Sequence, residues 1–190
     1  MDHRILPLPV ETRRLVLRPA SAQDALIVQA AVEESFESLH PWMPWAAQPQ
    51  SLEETQAFLA GAETRFRSGE EFAVSGFLRE GGTFVLSTGL HPRNWAVPRF
   101  EIGYWCRTSM QGRGYVTEAI LALTRLAFVD MEAVRIEIRC DARNLDSRRV
   151  AERAGYRLEA TLRCDDRAND GSLRDTAVYA ILRQEYRGLD

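Results

Sequence analysis

The sequence predicts an α+β fold, a largely antiparallel sheet with helices on its faces. Two observations carry that expectation. Three strand-like runs follow one another between residues 71 and 106, with no helical segment between them to make a parallel crossover. Helical segments with start and stop signals stand before that block and alternate with strands after it.

In chain order, "RRLVLRP" (13–19) has the aliphatic content of a short strand stopped by Pro19. A helix follows in "SAQDALIVQAAV", with Ser21 and Asp24 spaced as a capping box. The prolines of "HPWMPW" (40–45) end that helix. "SLEETQAFLAGAETRF" starts a second helix with the box Ser51 to Glu54, and its apolar positions Phe58, Leu59, Ala62 and Phe66 are expected on one face. "EFAVSGFLREGGTFVLSTGLH" (71–91) reads as a hairpin turning at Gly81-Gly82, and "FEIGYWC" (100–106) as the next strand. A helix in "VTEAILALTRLAF" leads to "AVRIEIRCD", where Val134, Ile136, Ile138 and Cys140 alternate with charged residues. "DSRRVAERAG" is a helix ended by Gly155, and "TAVYAILR" is a closing strand. No repeat or linker divides the chain, so one domain over 1–190 is expected.

Composition narrows the function. An apolar fraction of 45% with 27% charged residues suits a self-folding globular chain, and a net charge of -3 argues against nucleic-acid binding through a basic face. Apolar runs fall short of a membrane span and the N-terminus has no signal-peptide pattern, which predicts a cytoplasmic protein without membrane attachment. Cys106, Cys140 and Cys164 suit neither a disulfide framework nor a metal ligand set, and no metalloprotease, P-loop or serine-hydrolase pattern occurs. No metal is expected.

The stretch "SMQGRGYVTE" (109–118) is the most informative. A Gly-x-Gly turn at a helix start leaves outward-pointing N–H groups unpaired, with no Cβ to hold a ligand away, and the helix dipole adds to their pull on an anion. A phosphate or pyrophosphate fits such a site, with Arg113 adding charge at its rim. The third glycine and the acidic ribose ligand of a dinucleotide fingerprint are missing.

Taken in order, "FEIGYWC", "QGRGYVTEAI", "RIEIRCD" and "RNLDSRRVAERAGYRLEA" resemble the GNAT superfamily of acetyl-CoA-dependent N-acetyltransferases, and most of all its RimJ/RimL-type branch. The resemblance runs from "TRRLVLRPASAQDA" to the last strand. It implies a GNAT-type sheet with splayed central strands and acetyl-CoA as co-substrate. The pyrophosphate would be held by main-chain amides of Gln111, Gly112, Arg113, Gly114 and Tyr115, and the pantetheine arm would lie along Ile102, Gly103 and Tyr104 and against Asn144. Ser109 stands where the family usually has Arg or Gln, which alters the rim of the phosphate site and leaves the amides in place.

Acyl transfer from a thioester to an amine needs a neutral amine, a stabilised oxyanion and a stabilised leaving thiolate. RimL-like enzymes carry a Glu at the place of Glu101, suggested as general base directly or through water; its structural alternative is a carboxylate paired with an arginine. The Tyr that serves many members as acid is replaced by Ala151, which leaves Ser147 as the residue to hydrogen-bond the sulfur, with Tyr104 and Tyr156 as further candidates. Asn144 and Ser147 also suit helix capping. Trp42 and Trp45 are expected to wall the acceptor site. The resemblance implies a protein N-terminal amine as acceptor, with a small-molecule amine or a catalytically silent acetyl-CoA-binding module as alternatives. Dimerisation is common in similar proteins.

Overall fold

The computed structural model describes residues 6–189, in which eight strands form one mixed sheet in the order β1-β2-β3-β4-β5-β6-β8-β7. The strands are β1 (Val10–Glu11), β2 (Leu15–Pro19), β3 (Phe72–Leu78), β4 (Phe84–Asn94), β5 (Arg99–Cys106), β6 (Arg135–Asp141), β7 (Arg157–Arg167) and β8 (Leu173–Leu182). The helices are α1 (Ala25–Leu39), α2 (Leu52–Ser68), α3 (Tyr115–Val129) and α4 (Leu145–Arg153). Every pairing is antiparallel except β5 with β6.

Strand alternation sorts the side chains to two faces. Leu15, Leu17, Val74, Leu90, Phe100, Ile102, Ile136, Ile138, Tyr179 and Ile181 meet Ile120, Leu123 and Ala127 of α3 and Ala151 of α4 in the larger core. On the other face Ala73, Phe77 and Phe84 meet Val28 and Val32 of α1 and Leu59 and Ala62 of α2, with Trp105 at the margin. This second cover ends at β5. The β6-β8-β7 half of that face carries no helix and holds Arg135, Glu137 and Arg139.

Local signals held for α2, where Ser51 and Glu54 close the capping box and Gly69 ends the helix at φ +74°. They failed at Ser21–Asp24. Asp24 takes both Arg18 guanidinium nitrogens at 2.7 Å, while the Ser21 hydroxyl donates to Glu63 and accepts from the Gln23 amide. A short 3-10 turn therefore precedes α1 in place of the box. Phe58 also departs from expectation: it is 57% exposed, while Leu59 and Ala62 are buried. β7 lay outside the predicted strands because its side chains are exposed on nearly every residue and give no alternation to read.

Gly89 shows how tightly β3 and β4 pack. A Cβ there would lie 2.7 Å from the Phe72 carbonyl oxygen and 3.3 Å from Ala73 Cα, both main-chain atoms that cannot swing aside. Gly89→Ala is expected to cost about 1–3 kcal/mol through overpacking, read as a lower denaturation midpoint at unchanged slope.

Candidate active site

The β5–β6 pairing covers Arg99 with Arg135, Phe100 with Ile136 and Glu101 with Glu137, and then stops. Both strands continue against their other neighbours, β5 to Cys106 along β4 and β6 to Asp141 along β8. A gap therefore opens beyond Glu101, edged by residues 102–106 and 138–141. A strand edge with free N–H and C=O groups is what an extended, amide-bearing ligand can pair with. Ile102, Gly103 and Tyr104 lie on that edge.

The glycine turn stands at the far end of β5. Gly112 and Gly114 sit at φ +72° and +77°, and a Cβ on Gly112 would meet nothing within 4 Å. Handedness, not crowding, requires glycine here. α2 and α4 receive side-chain caps from Ser51 and Asn144, whereas α3 has none. The amides of Gly112, Arg113 and Gly114 donate to no described residue, and those of Tyr115 and Val116 open the helix. The Gln111 amide differs from expectation, because it closes the preceding 3-10 turn on the Thr108 carbonyl at 3.2 Å. Beside the turn, an open cavity of about 510 Å³ is lined by Arg13, Arg14, Leu78, Arg79, Glu80 and Tyr115.

Two braces fix the turn. On one side Arg14 donates through Nε to Glu118 Oε2 at 2.7 Å and through Nη1 to the Arg113 carbonyl at 2.9 Å, and it stacks on the Tyr115 ring. On the other, α1 holds the chain between β5 and the glycines. Glu34 accepts from Arg107 Nε at 2.6 Å and from the Ser109 amide at 2.9 Å, and Ser35 Oγ accepts from the Thr108 amide. The Arg107 hydrogen bond, with that of the Ser109 amide, holds the Glu34 carboxyl down at about 2.

Across the gap, the Asn144 side chain accepts from the Ser147 amide at 3.0 Å and caps α4. The Tyr104 hydroxyl lies 2.9 Å from Ser147 Oγ and donates to the Ser147 carbonyl at 3.0 Å, so β5 and α4 meet through two hydroxyls. Burial pushes the Tyr104 phenol well above its usual range, so it stays protonated. Tyr156 is spent elsewhere, with its hydroxyl 2.7 Å from Thr124 Oγ1 inside the core.

Glu101, Gly103 and Trp105 point to the opposite face, the one α1 and α2 cover. Glu101 accepts from Arg93 Nε at 3.0 Å and from Nη2. That is the arginine-paired alternative of the sequence reading. Trp45 packs on Trp105 with ring centroids 5.9 Å apart, and Trp105 packs on Phe84. Trp42 takes no part in that stack, although its loop is clamped by Asn169, whose Nδ2 donates to the carbonyls of His40 and Met43.

Comparison with known proteins adds to this geometry. The acetyltransferase (GNAT) domain family matches residues 14–157. The chain belongs to the GNAT acetyltransferase family. It is an N-acetyltransferase of the RimJ/RimL-like type and thus an acyltransferase. YdaF of Bacillus subtilis, an N-acetyltransferase by name, is 26% identical over 174 residues, spanning 92% of this chain and 94% of its own. The ribosomal-protein-serine acetyltransferase of Escherichia coli is 38% identical over 80 residues, 42% of this chain and 44% of its own. Among solved structures, the ribosomal L7/L12 alpha-N-protein acetyltransferase RimL in complex with coenzyme A superposes with TM-score 0.84 at 23% identity, over 94% of this chain and 97% of that one. That likeness bears on the fold, an eight-stranded and mostly antiparallel GNAT sheet.

Within this GNAT fold, three contributors escaped the sequence reading. Neither Glu34 nor Asn169 stands in a motif that marks it in the sequence, and the hydroxyl contact of Tyr104 joins residues 43 positions apart. No cluster of three His, Cys, Asp or Glu residues able to hold a metal occurs among the described residues.

Glu34 supports a pH prediction. Its folded value lies below its ordinary one, so its contribution is present above the ordinary carboxylate range and is lost as pH falls toward about 2. Glu34→Gln should therefore lower Tm at pH 6. The gap to the wild type should narrow below about pH 4.5 and close near pH 2, as thermal melts across that range would show.

Proposed function

We propose that the chain acts as one domain over residues 1–190 and is an acetyl-CoA-dependent N-acetyltransferase that moves an acetyl group directly to a primary amine. The observation that carries this is the pairing of an opened strand edge at Ile102–Tyr104 with a run of unpaired amides from Gly112 to Val116. The first suits the amide-bearing pantetheine arm and the second the pyrophosphate of coenzyme A. Asn144 fixes the α4 side of the gap, and Arg113 adds charge at the rim. Acetyl-CoA supplies the activated acyl group. The Tyr104–Ser147 hydroxyl pair is placed to hydrogen-bond the leaving sulfur.

For the acceptor, a protein N-terminal α-amine is the reading we favour. The Escherichia coli relative is named for a ribosomal-protein serine, and RimL for the α-amine of L7/L12. Charge on the acceptor face agrees. Glu101 pairs with Arg93 and Asp165 with Arg139, while Arg135 serves both Glu137 and Glu159, so these carboxylates are already engaged by arginine and offer little to a polyamine or aminoglycoside. An α-amine, with pKa about 7.7–8.0, is also neutral far more often at pH 7 than a lysine at about 10.4. Trp45, on its stack over Trp105, and Trp42 of the same loop would flank the first residues of the acceptor.

Incubation with acetyl-CoA and peptides differing in their first residue, beside polyamines, aminoglycosides and amino acids, is expected to release thiol and add one acetyl to the peptide α-amine. Gain on a small amine alone would overturn the protein-acceptor reading, and tight acetyl-CoA binding without turnover would leave a binding module. In the same assay Ser147→Ala should lower kcat more than it raises the acetyl-CoA KM. The reverse split would make Ser147 a binding residue only.

A further inference from the structure

We propose that His91, positioned by Glu71, takes the proton that the acceptor nitrogen sheds during transfer; this rests on the acetyltransferase reading above.

His91 lies on β4 directly opposite Glu101 of β5, and both face the acceptor side of the sheet. Its Nδ1 stands 3.4 Å from Glu71 Oε1, and Glu71 is itself held by Arg65 Nε at 2.6 Å. A carboxylate at that edge favours the proton on Nδ1, which leaves the Nε2 lone pair free. Nε2 has no hydrogen-bond partner among the described residues, and it lies 3.3 Å from the point a Cβ on Gly103 would occupy. Gly103 is one of the β5 residues that edge the gap, and its missing side chain lets the imidazole reach that strand. The His91 side chain keeps 38% of its surface accessible, so an incoming amine can approach it. Glu101 is committed in a way His91 is not, because Arg93 donates to it through two nitrogens.

The groups facing the imidazole are Glu71, Arg65 of α2, Glu101 of β5 and Arg93 of its own strand. Burial lowers its proton affinity, Glu71 and Glu101 raise it, Arg93 and Arg65 lower it, and the net direction is down from 6.5. His91 is therefore neutral at pH 7, as a base must be, and adds no charge to repel an amine. The neutral amine forms the C–N bond as the C–S bond breaks. One proton leaves nitrogen for Nε2 and passes on to water, and the thiolate takes one proton from the Tyr104–Ser147 hydroxyls, which recover theirs from water. Amine and thioester give amide and thiol.

The test is kcat/KM against pH from 5 to 9 for wild type, His91→Ala, His91→Gln, Glu71→Gln and Glu101→Gln, with folding checked by thermal melts. Deprotonation of the acceptor amine gives every variant a limb at about 7.7–8.0. Beside it the wild type should show a second, lower ascending limb centred below 6.5, and it is this lower limb that reports His91. Both His91 variants should lose about 100-fold or more in kcat with little change in acetyl-CoA KM, and should lose the lower limb while keeping that of the amine. Added imidazole should restore part of the rate of His91→Ala. Glu71→Gln should keep the lower limb and move it to lower pH, because a charge that holds the proton on His91 is gone. NMR titration of the His91 ring, which needs no turnover, should show the same midpoint and the same displacement. A lower limb that survives in both His91 variants with kcat within about threefold, or that disappears only in Glu101→Gln, overturns the proposal and leaves the acetyltransferase reading standing. A wild type that acetylates no amine overturns that reading and this proposal together.

Discussion

Three pairs of residues on β5 and β6 join the two halves of the sheet, and the site exists because they are only three. Had the parallel pairing run on past Glu101, the backbone groups of residues 102–106 would have been consumed within the sheet. Pairing along the whole interface would be the more stable sheet locally, so something must hold the halves together while letting them diverge. That role falls to the core beneath, where Phe100, Ile102, Ile136 and Ile138 share a cover of α3 and α4. Burial of those side chains is worth about 25 cal/mol per Å² of apolar surface and does not depend on strand pairing. The sheet can forgo ladder hydrogen bonds there without coming apart.

Divergence alone would give a loose cleft. Its two ends are fixed by polar contacts between segments far apart in the chain, Glu34 with Arg107 and Ser109 at the turn, and Tyr104 with Ser147 at the start of α4. Arg14 and Glu118 add a third tie, from the residue before β2 to the first turn of α3. The amides of Gly112 to Val116 are thus presented by a turn held from both sides. Donors fixed before a ligand arrives need little ordering on binding, which suits main-chain recognition of a phosphate.

The same contrast explains what could be read in the sequence. Gly112 and Gly114 were legible because left-handed backbone before a helix has a residue signature, and Ser51–Glu54 because a capping box is closed within three residues. The hairpin at Gly81-Gly82 and the strands β5 and β6 were legible through turn chemistry and alternation. β7 was not, since it forms a sheet edge whose side chains are exposed on nearly every residue and is placed only by its pairing with β8. Ser21–Asp24 has the spacing of a box, yet a bidentate arginine on Asp24 outweighs a single cap bond. His91 stands in no sequence motif, because Glu71 and Gly103 reach it only through folding.

The acceptor side follows a different logic from the cofactor side. On the proposed reading its walls would be the loop carrying Trp42 and Trp45 and the turn between β7 and β8, which Asn169 ties together through two carbonyl contacts. Neither wall belongs to the part of the sheet that forms the gap. The width of the acceptor cleft can therefore change with the sequence of these two segments while the splay, the glycine turn and the α4 cap stay as they are. Glu101 and Asp165 each meet an arginine and Arg135 is shared by Glu137 and Glu159, so on that reading charge would select an acceptor only weakly. Selection would then fall to shape and to the protonation state of the amine. Under the proposed function, an acceptor that is partly neutral at working pH and slender would meet both requirements, as an extended chain terminus would.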